Sequence, residues 1–246
     1  MSKKEKIIKS VDLIKESWQV YQKNLLKFIE VFIYGLIGIL PMFGLLIVSA
    51  VYAVYLSDKA PVSVNVILGI IAVLGFIASI YIAIVYSIRS KVASILLLKN
   101  DFTSPKDNFK EAKPYFVKFL GVSLLLVVLV IAWGFVLLVP ALIFAIYYGF
   151  AQYVLVIEGK RPFSAIERSY DLVRGYFWPV FGRLALISAL GMAVYIILAQ
   201  PMSNFQEGSA AAVSYSIFMN LIWAVLSPYF IVYTYNLYKS LKETNK

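Results

Sequence analysis

Long apolar runs separated by short charged blocks dominate the chain. A helix needs about 20 apolar residues to cross roughly 30 Å of hydrocarbon, and six segments reach that scale. The first, 28–56, is interrupted only by Glu30 and Pro41, and the second, 62–88, carries no charge. The charge-free stretch from Phe119 to Ile157 is too long for one helix at about 1.5 Å per residue. Leu138-Val139-Pro140 divides it, because proline suits the first turn of a helix and not its interior. Spans at 117–138 and 140–158 result, followed by spans at 177–199 and 210–238, the last with a kink expected at Pro228.

Three shorter segments carry apolar residues on a helical stripe instead. Ile7, Val11, Ile14, Trp18, Tyr21, Leu25 and Phe28 alternate steps of four and three, with Lys9, Asp12, Glu16, Gln19 and Lys23 on the other face. An amphipathic helix over 5–27 follows. It either lies in the cytoplasmic interface with Trp18 among the headgroups or docks on the underside of the bundle. A second runs over 164–174, opened by a Ser164-x-x-Glu167 capping box and stopped by Gly175. A weaker third, 105–113, begins at Ser104-Pro105 and carries Phe109 and Ala112.

These segments share a register. Lys113-Pro-Tyr-Phe-Val-Lys-Phe-Leu-Gly121 slides over Arg174-Gly-Tyr-Phe-Trp-Pro-Val-Phe-Gly182, and Ser17-Trp18 over Ser169-Tyr170. The expected fold is therefore an all-α polytopic membrane protein: one domain of six transmembrane helices, built from three pseudo-repeats of an interfacial helix plus a transmembrane hairpin. Parallel repeats of that kind imply an axis along the membrane normal.

Composition agrees with lipid as the solvent. Of 246 residues, 61% are hydrophobic and 15% charged, and the mean hydropathy is +0.82. A soluble domain averages about 45–50% apolar and about 25% charged. The net charge of +10 raises nucleic acid as a partner, but the placement of the charges argues against it. Twenty-two of the 23 Lys and Arg flank the spans on the side of the termini, leaving Lys59, Asp58 and Glu207 as the charges of the other surface. By the positive-inside rule both termini are expected in the cytoplasm, in the cell membrane. The first apolar run is too long for a signal peptide and lacks a small-residue cleavage site.

With no histidine and no cysteine, thiol nucleophiles, imidazole bases and most zinc or haem sites are unavailable. No phosphate-binding loop, nucleophile elbow or clustered carboxylate pair is present either, so neither an enzyme nor a cofactor is expected. Glu30 and Arg183 intrude furthest into spans, and the register puts them at similar depth, which makes an intramembrane ion pair a candidate. Asn220 and Gln152 are the candidate polar groups of the midplane. Lys160, Arg161, Arg168 and Arg174, around the turn after the fourth span, are candidate contacts for anionic lipid headgroups, or topology anchors alone.

The stretch Tyr153-Val-Leu-Val-Ile-Glu158-Gly159-Lys-Arg-Pro-Phe-Ser164-Ala-Ile-Glu-Arg168-Ser169-Tyr-Asp-Leu-Val173-Arg174-Gly175-Tyr-Phe-Trp178 resembles the membrane domain of glycerophosphoryl diester phosphodiesterases and related six-helix bacterial and archaeal membrane proteins. Glu16-Ser-Trp-Gln-Val-Tyr-Gln-Lys-Asn24 and Pro140 fit the same group. In the enzymes of that family a separate soluble barrel supplies carboxylates and histidines for the chemistry. The resemblance here implies the lipid-embedded module without that activity. The expected function is a non-enzymatic accessory or scaffold that engages lipid or a membrane protein partner. The alternative is a small transporter or permease subunit with a path along Glu30, Arg183, Gln152 and Asn220.

Overall fold

The computed structural model describes residues 7–136, 138–206 and 208–244. Glu207 and positions 5 and 6 of the first amphipathic segment lie outside the described residues. Every element within them is helical. The ten α-helices are α1 (Ser10–Ile37), α2 (Leu40–Tyr55), α3 (Val62–Lys99), α4 (Pro105–Glu111), α5 (Phe116–Val136), α6 (Leu138–Tyr148), α7 (Ala151–Glu158), α8 (Pro162–Val173), α9 (Phe177–Ala199) and α10 (Ala210–Thr244). Five stretches are long and apolar enough to cross a membrane, or six when the bent α1–α2 pair counts as one span.

Sequence breakers explain most of the boundaries. The 28–56 run is two helices bent by 41°, with Pro41 in the first turn of α2. The bend sits where α1 comes closest to α3, since a Cβ on Gly35 would lie 2.9 Å from Ser90 Cβ and one on Gly38 would overlap Tyr86 Cβ. Pro228 lies inside an unbroken α10. Its ring disturbs the preceding turn and removes a donor, and the exposed carbonyls find others: Ser227 Oγ donates to Ala224 O at 3.1 Å, and Tyr21 OH to Val225 O at 2.7 Å.

Two expectations need correction. The first amphipathic segment is not a separate interfacial helix: α1 runs unbroken from Ser10 to Ile37 and packs along α10 and α3. In the shared register Gly175 and Pro114 break the other two copies, whereas Lys23 occupies that position in α1 and lets the helix continue. The expected 140–158 span is present as Val139–Glu158, with a break in the helix at Gly149-Phe150, between α6 and α7. The Ser164 capping box does not form, because Pro162 takes the first helical position of α8 and Arg161 the cap. Ser104, by contrast, caps α4 and accepts from Asp107 N at 3.4 Å.

Both described ends of the chain and the turns α3–α4 and α7–α8 meet at one end of the bundle, here termed basal. Ile8 N donates to Ser240 Oγ at 3.1 Å, Tyr238 OH to Glu158 Oε1 at 2.7 Å, and Lys99 Nζ to Val156 O at 3.3 Å. The core gathers here, with Val92 to Leu98 of α3, most of α7, and Val232, Tyr233, Leu237, Tyr238 and Leu241 of α10 buried. Helix α2 and the distal half of α3 bury only Ser79. Such apolar exposure is unfavourable in water and normal in lipid.

The three amphipathic stretches bury matching positions. Ser17, Asn108 and Ser169 occupy one register position, Tyr21, Ala112 and Val173 the next turn, and Phe119 and Val180, near the starts of α5 and α9, match Phe28 further along α1; all nine are buried. Each stretch packs on a returning helix, α4 on α3, α8 on α7, and α1 on α10, so the N-terminal helix closes the ring against the C-terminal one.

The small polar residue at the first position makes the joint in each case. Ser169 Oγ accepts from Phe150 N at 3.1 Å and donates to Tyr147 O at 2.8 Å, satisfying backbone groups freed by the α6–α7 break. Asn108 Oδ1 accepts from Asn100 Nδ2 at 2.8 Å, at the end of α3. Ser17 Oγ accepts from Asn236 Nδ2 at 3.0 Å, on α10.

Candidate functional site

The most charged constellation of the basal end is built on Glu158, the last residue of α7. Gly159 ends that helix at φ 67°, the left-handed conformation that costs glycine least. The chain then turns within three residues, and Pro162 starts α8. Lys160 therefore returns over the Glu158 carboxylate, and Arg168 reaches it from α8. Their nitrogens lie 3.8 Å from Glu158 Oε2. From the last turn of α10, Lys242 Nζ lies 3.2 Å from Oε1, which also accepts from Tyr238 OH. The carboxylate side chain is only 13% exposed, while its three cations are 30–39% exposed. One acid balanced by three bases leaves two surplus positive charges at the rim. Arg161 and Arg174 add exposed charge at either end of α8.

Four further cations cap backbone carbonyls instead of meeting carboxylates. Lys99 donates to Val156 O in the last turn of α7, and Arg89 Nη2 to Phe109 O at 3.0 Å in the last turn of α4. Lys27 Nζ donates to Phe102 O. Helix C-termini carry unpaired carbonyls and partial negative charge, which a cation offsets. Arg89 also lies over the Phe109 ring, 4.3 Å from its centroid.

Arg183 is the fourth, and this overturns the expected Glu30–Arg183 ion pair. Among the described residues no ion pair joins them. Arg183 Nε donates to Ile8 O at 2.9 Å, Nη2 to Ile8 O at 2.5 Å and Nη1 to Pro179 O at 2.7 Å, tying the segment before α1 to α9. Glu30 accepts from Tyr34 OH at 2.8 Å, one turn along its own helix.

Gln152 and Asn220 do not meet either. Gln152 Nε2 donates to Ser123 Oγ at 3.1 Å and links α7 to α5. Asn220 Nδ2 donates to Ser216 O at 2.8 Å and lines a cavity of about 190 Å³ between α9 and α10. Glu30, Arg183, Gln152 and Asn220 thus occupy four separate surroundings and define no common path. Of the four basic residues picked out for headgroups, Lys160 and Arg168 converge on Glu158, and Arg161 and Arg174 flank them. Lys242 and Tyr238 escaped the sequence reading because some 80 residues separate them from Glu158.

No family model, curated protein or solved structure matches the chain.

Proposed function

We propose that the protein is a non-enzymatic membrane module whose basal end faces the cytoplasm and holds anionic lipid headgroups, serving as a scaffold at that surface. The observation that carries this reading is the Glu158 cluster. Its surplus charge is carried by Lys160 on the α7–α8 turn, Arg168 on α8 and Lys242 on α10, all partly exposed around a largely buried carboxylate. Juxtamembrane cations attract anionic lipid by about 1 kcal/mol each, and an Arg fork suits phosphate oxygens. The matching buried positions and the ring of α1, α4 and α8 support three pseudo-repeats around a common axis, with six spans. In this arrangement each amphipathic helix braces the base of the preceding hairpin. The resemblance to the phosphodiesterase membrane domain fits the same role, a lipid-embedded part that carries no hydrolytic chemistry.

Native mass spectrometry after purification in mixed lipid tests the proposal. Wild type is expected to retain phosphatidylglycerol over phosphatidylcholine, and Arg161→Gln with Arg174→Gln, both exposed, to lower that preference about tenfold or more. Equal retention of the two lipids by wild type, or no change in the double variant, overturns it.

A further inference from the structure

The Glu158 cluster holds more cationic donors than its own carboxylate uses. Lys160 Nζ and Arg168 Nε both lie 3.8 Å from the same atom, Glu158 Oε2, within ion-pair range but beyond hydrogen-bond length. Neither side chain donates a hydrogen bond to any described residue, so the N–H donors of the ammonium and of the guanidinium fork are unused by the protein. Lys242 differs, because its Nζ sits at hydrogen-bond distance, 3.2 Å, from Oε1.

The charges do not balance either. Among the described residues no other carboxylate comes within ion-pair distance of these three cations, so one negative charge faces three positive ones. With Lys242 matched to Glu158, the surplus falls on Lys160 and Arg168, whose side chains are 39% and 30% exposed and so open to a ligand. Their nitrogens share one neighbouring oxygen at 3.8 Å and are no more than twice that distance apart. One phosphate bridges such a gap when its oxygens accept at about 2.8 Å from each cation, and an anion placed there also relieves the repulsion between the two like charges.

A phosphodiester brings a single negative charge and leaves one cation of the pair unmatched. A phosphomonoester carries close to two negative charges at pH 7 and a third acceptor oxygen, which matches the surplus. We infer that the Glu158 cluster selects a phosphomonoester lipid, of the phosphatidic acid class, over phosphodiester lipids. This rests on the reading of the basal end as a headgroup surface and names the headgroup it takes.

Native mass spectrometry of the full chain tests it, with phosphatidic acid, phosphatidylglycerol, phosphatidylmethanol and phosphatidylcholine of matched chains in competition. Phosphatidylmethanol is the control for head size, being nearly as small as phosphatidic acid but a diester. Phosphatidic acid is expected to be retained about fivefold or more above both anionic diesters, the effect of one further matched charge. Lys160→Gln, on the turn, leaves one surplus charge and is expected to bring the three anionic lipids within about twofold of one another, all still above phosphatidylcholine; Arg168→Gln is expected to do the same. Arg161→Gln with Arg174→Gln, outside the cluster, is expected to lower all three alike and keep their ratio. Phosphatidic acid held no better than phosphatidylmethanol, with both above phosphatidylcholine, overturns the selection and leaves the headgroup surface standing, whereas equal retention of all four overturns both. A ratio unchanged in Lys160→Gln and in Arg168→Gln overturns the assignment to this cluster. Displacement of phosphatidic acid by inorganic phosphate at equal concentration makes a soluble phosphomonoester the ligand and overturns the lipid.

Discussion

Ser169→Ala is the sharpest probe of how the basal end is held together. Its hydroxyl is fully buried and serves the two backbone groups that the α6–α7 break releases, Phe150 N–H and Tyr147 C=O. Alanine fits the space but leaves the amide without an acceptor. An orphaned buried donor costs about 1–3 kcal/mol. The carbonyl, which keeps a second lone pair, adds less. We expect a loss of about 1.5–3 kcal/mol, roughly a ten- to hundredfold rise in the unfolded fraction. Reversible unfolding in mixed micelles of rising denaturing-detergent fraction, followed by far-ultraviolet circular dichroism, measures it. Ser216→Ala is the control, since that hydroxyl donates only one turn back to Val213 O, and is expected within about 0.5 kcal/mol of wild type. A Ser169→Ala value inside that same range would refute the reasoning.

Three further outcomes follow from the packing. Gly38→Ala puts a Cβ onto Tyr86 Cβ and is expected to cost about 1–3 kcal/mol by overpacking; Gly38→Ala with Tyr86→Gly, which removes that Cβ, is expected to cost less than the two single changes added together, and the same unfolding assay reads it. Arg183→Gln releases the carbonyl of Ile8, so limited proteolysis ahead of Ser10 should accelerate at least tenfold, whereas an unchanged cleavage rate counts against the clamp. Glu158→Gln leaves Lys160, Arg168 and Lys242 facing one another. The variant should be less stable than wild type at low salt and gain stability as salt screens the repulsion, and salt titrations that run parallel for both proteins would contradict it.

Helices with clear apolar runs and clear stops were legible in the sequence. The limits of α9 coincide with the expected 177–199 span, and α5 begins within one residue of the expected 117. Apolar counting found the fourth span but not the break inside it, which is made by contact rather than composition. Gly149-Phe150 carries no charge and no proline, and its interruption depends on Ser169, a residue of the next helix. The amphipathic stripe at the start of α1 left headgroups and the underside of the bundle both open, because periodicity does not choose between them. The stripe Leu13, Ser17, Tyr21 and Phe28 faces protein, not headgroups, although Trp18 remains 41% exposed.

The site divided in the same way. Lys160 and Arg168 drew notice as basic residues beside a tight turn, and their pairing with Glu158 across that turn and one face of α8 became visible only in the fold. The register fixed a similar depth for Glu30 and Arg183 but not the direction in which each points around its helix. Arg183 turned toward carbonyls of the opening segment.

The central claim is that all the basal cations share one membrane face. The chain contains no cysteine, so single cysteines can be introduced without a background, at Asp58 and Ser203 for the distal end and at Asp107, Lys160 and Lys239 for the basal end. Labelling with a membrane-impermeant maleimide, on intact cells and after lysis, reads their sides directly. Asp58→Cys and Ser203→Cys are expected to label on intact cells, and the three basal variants only after lysis. Labelling of Lys160→Cys from outside, or any split among the three basal positions, would contradict it.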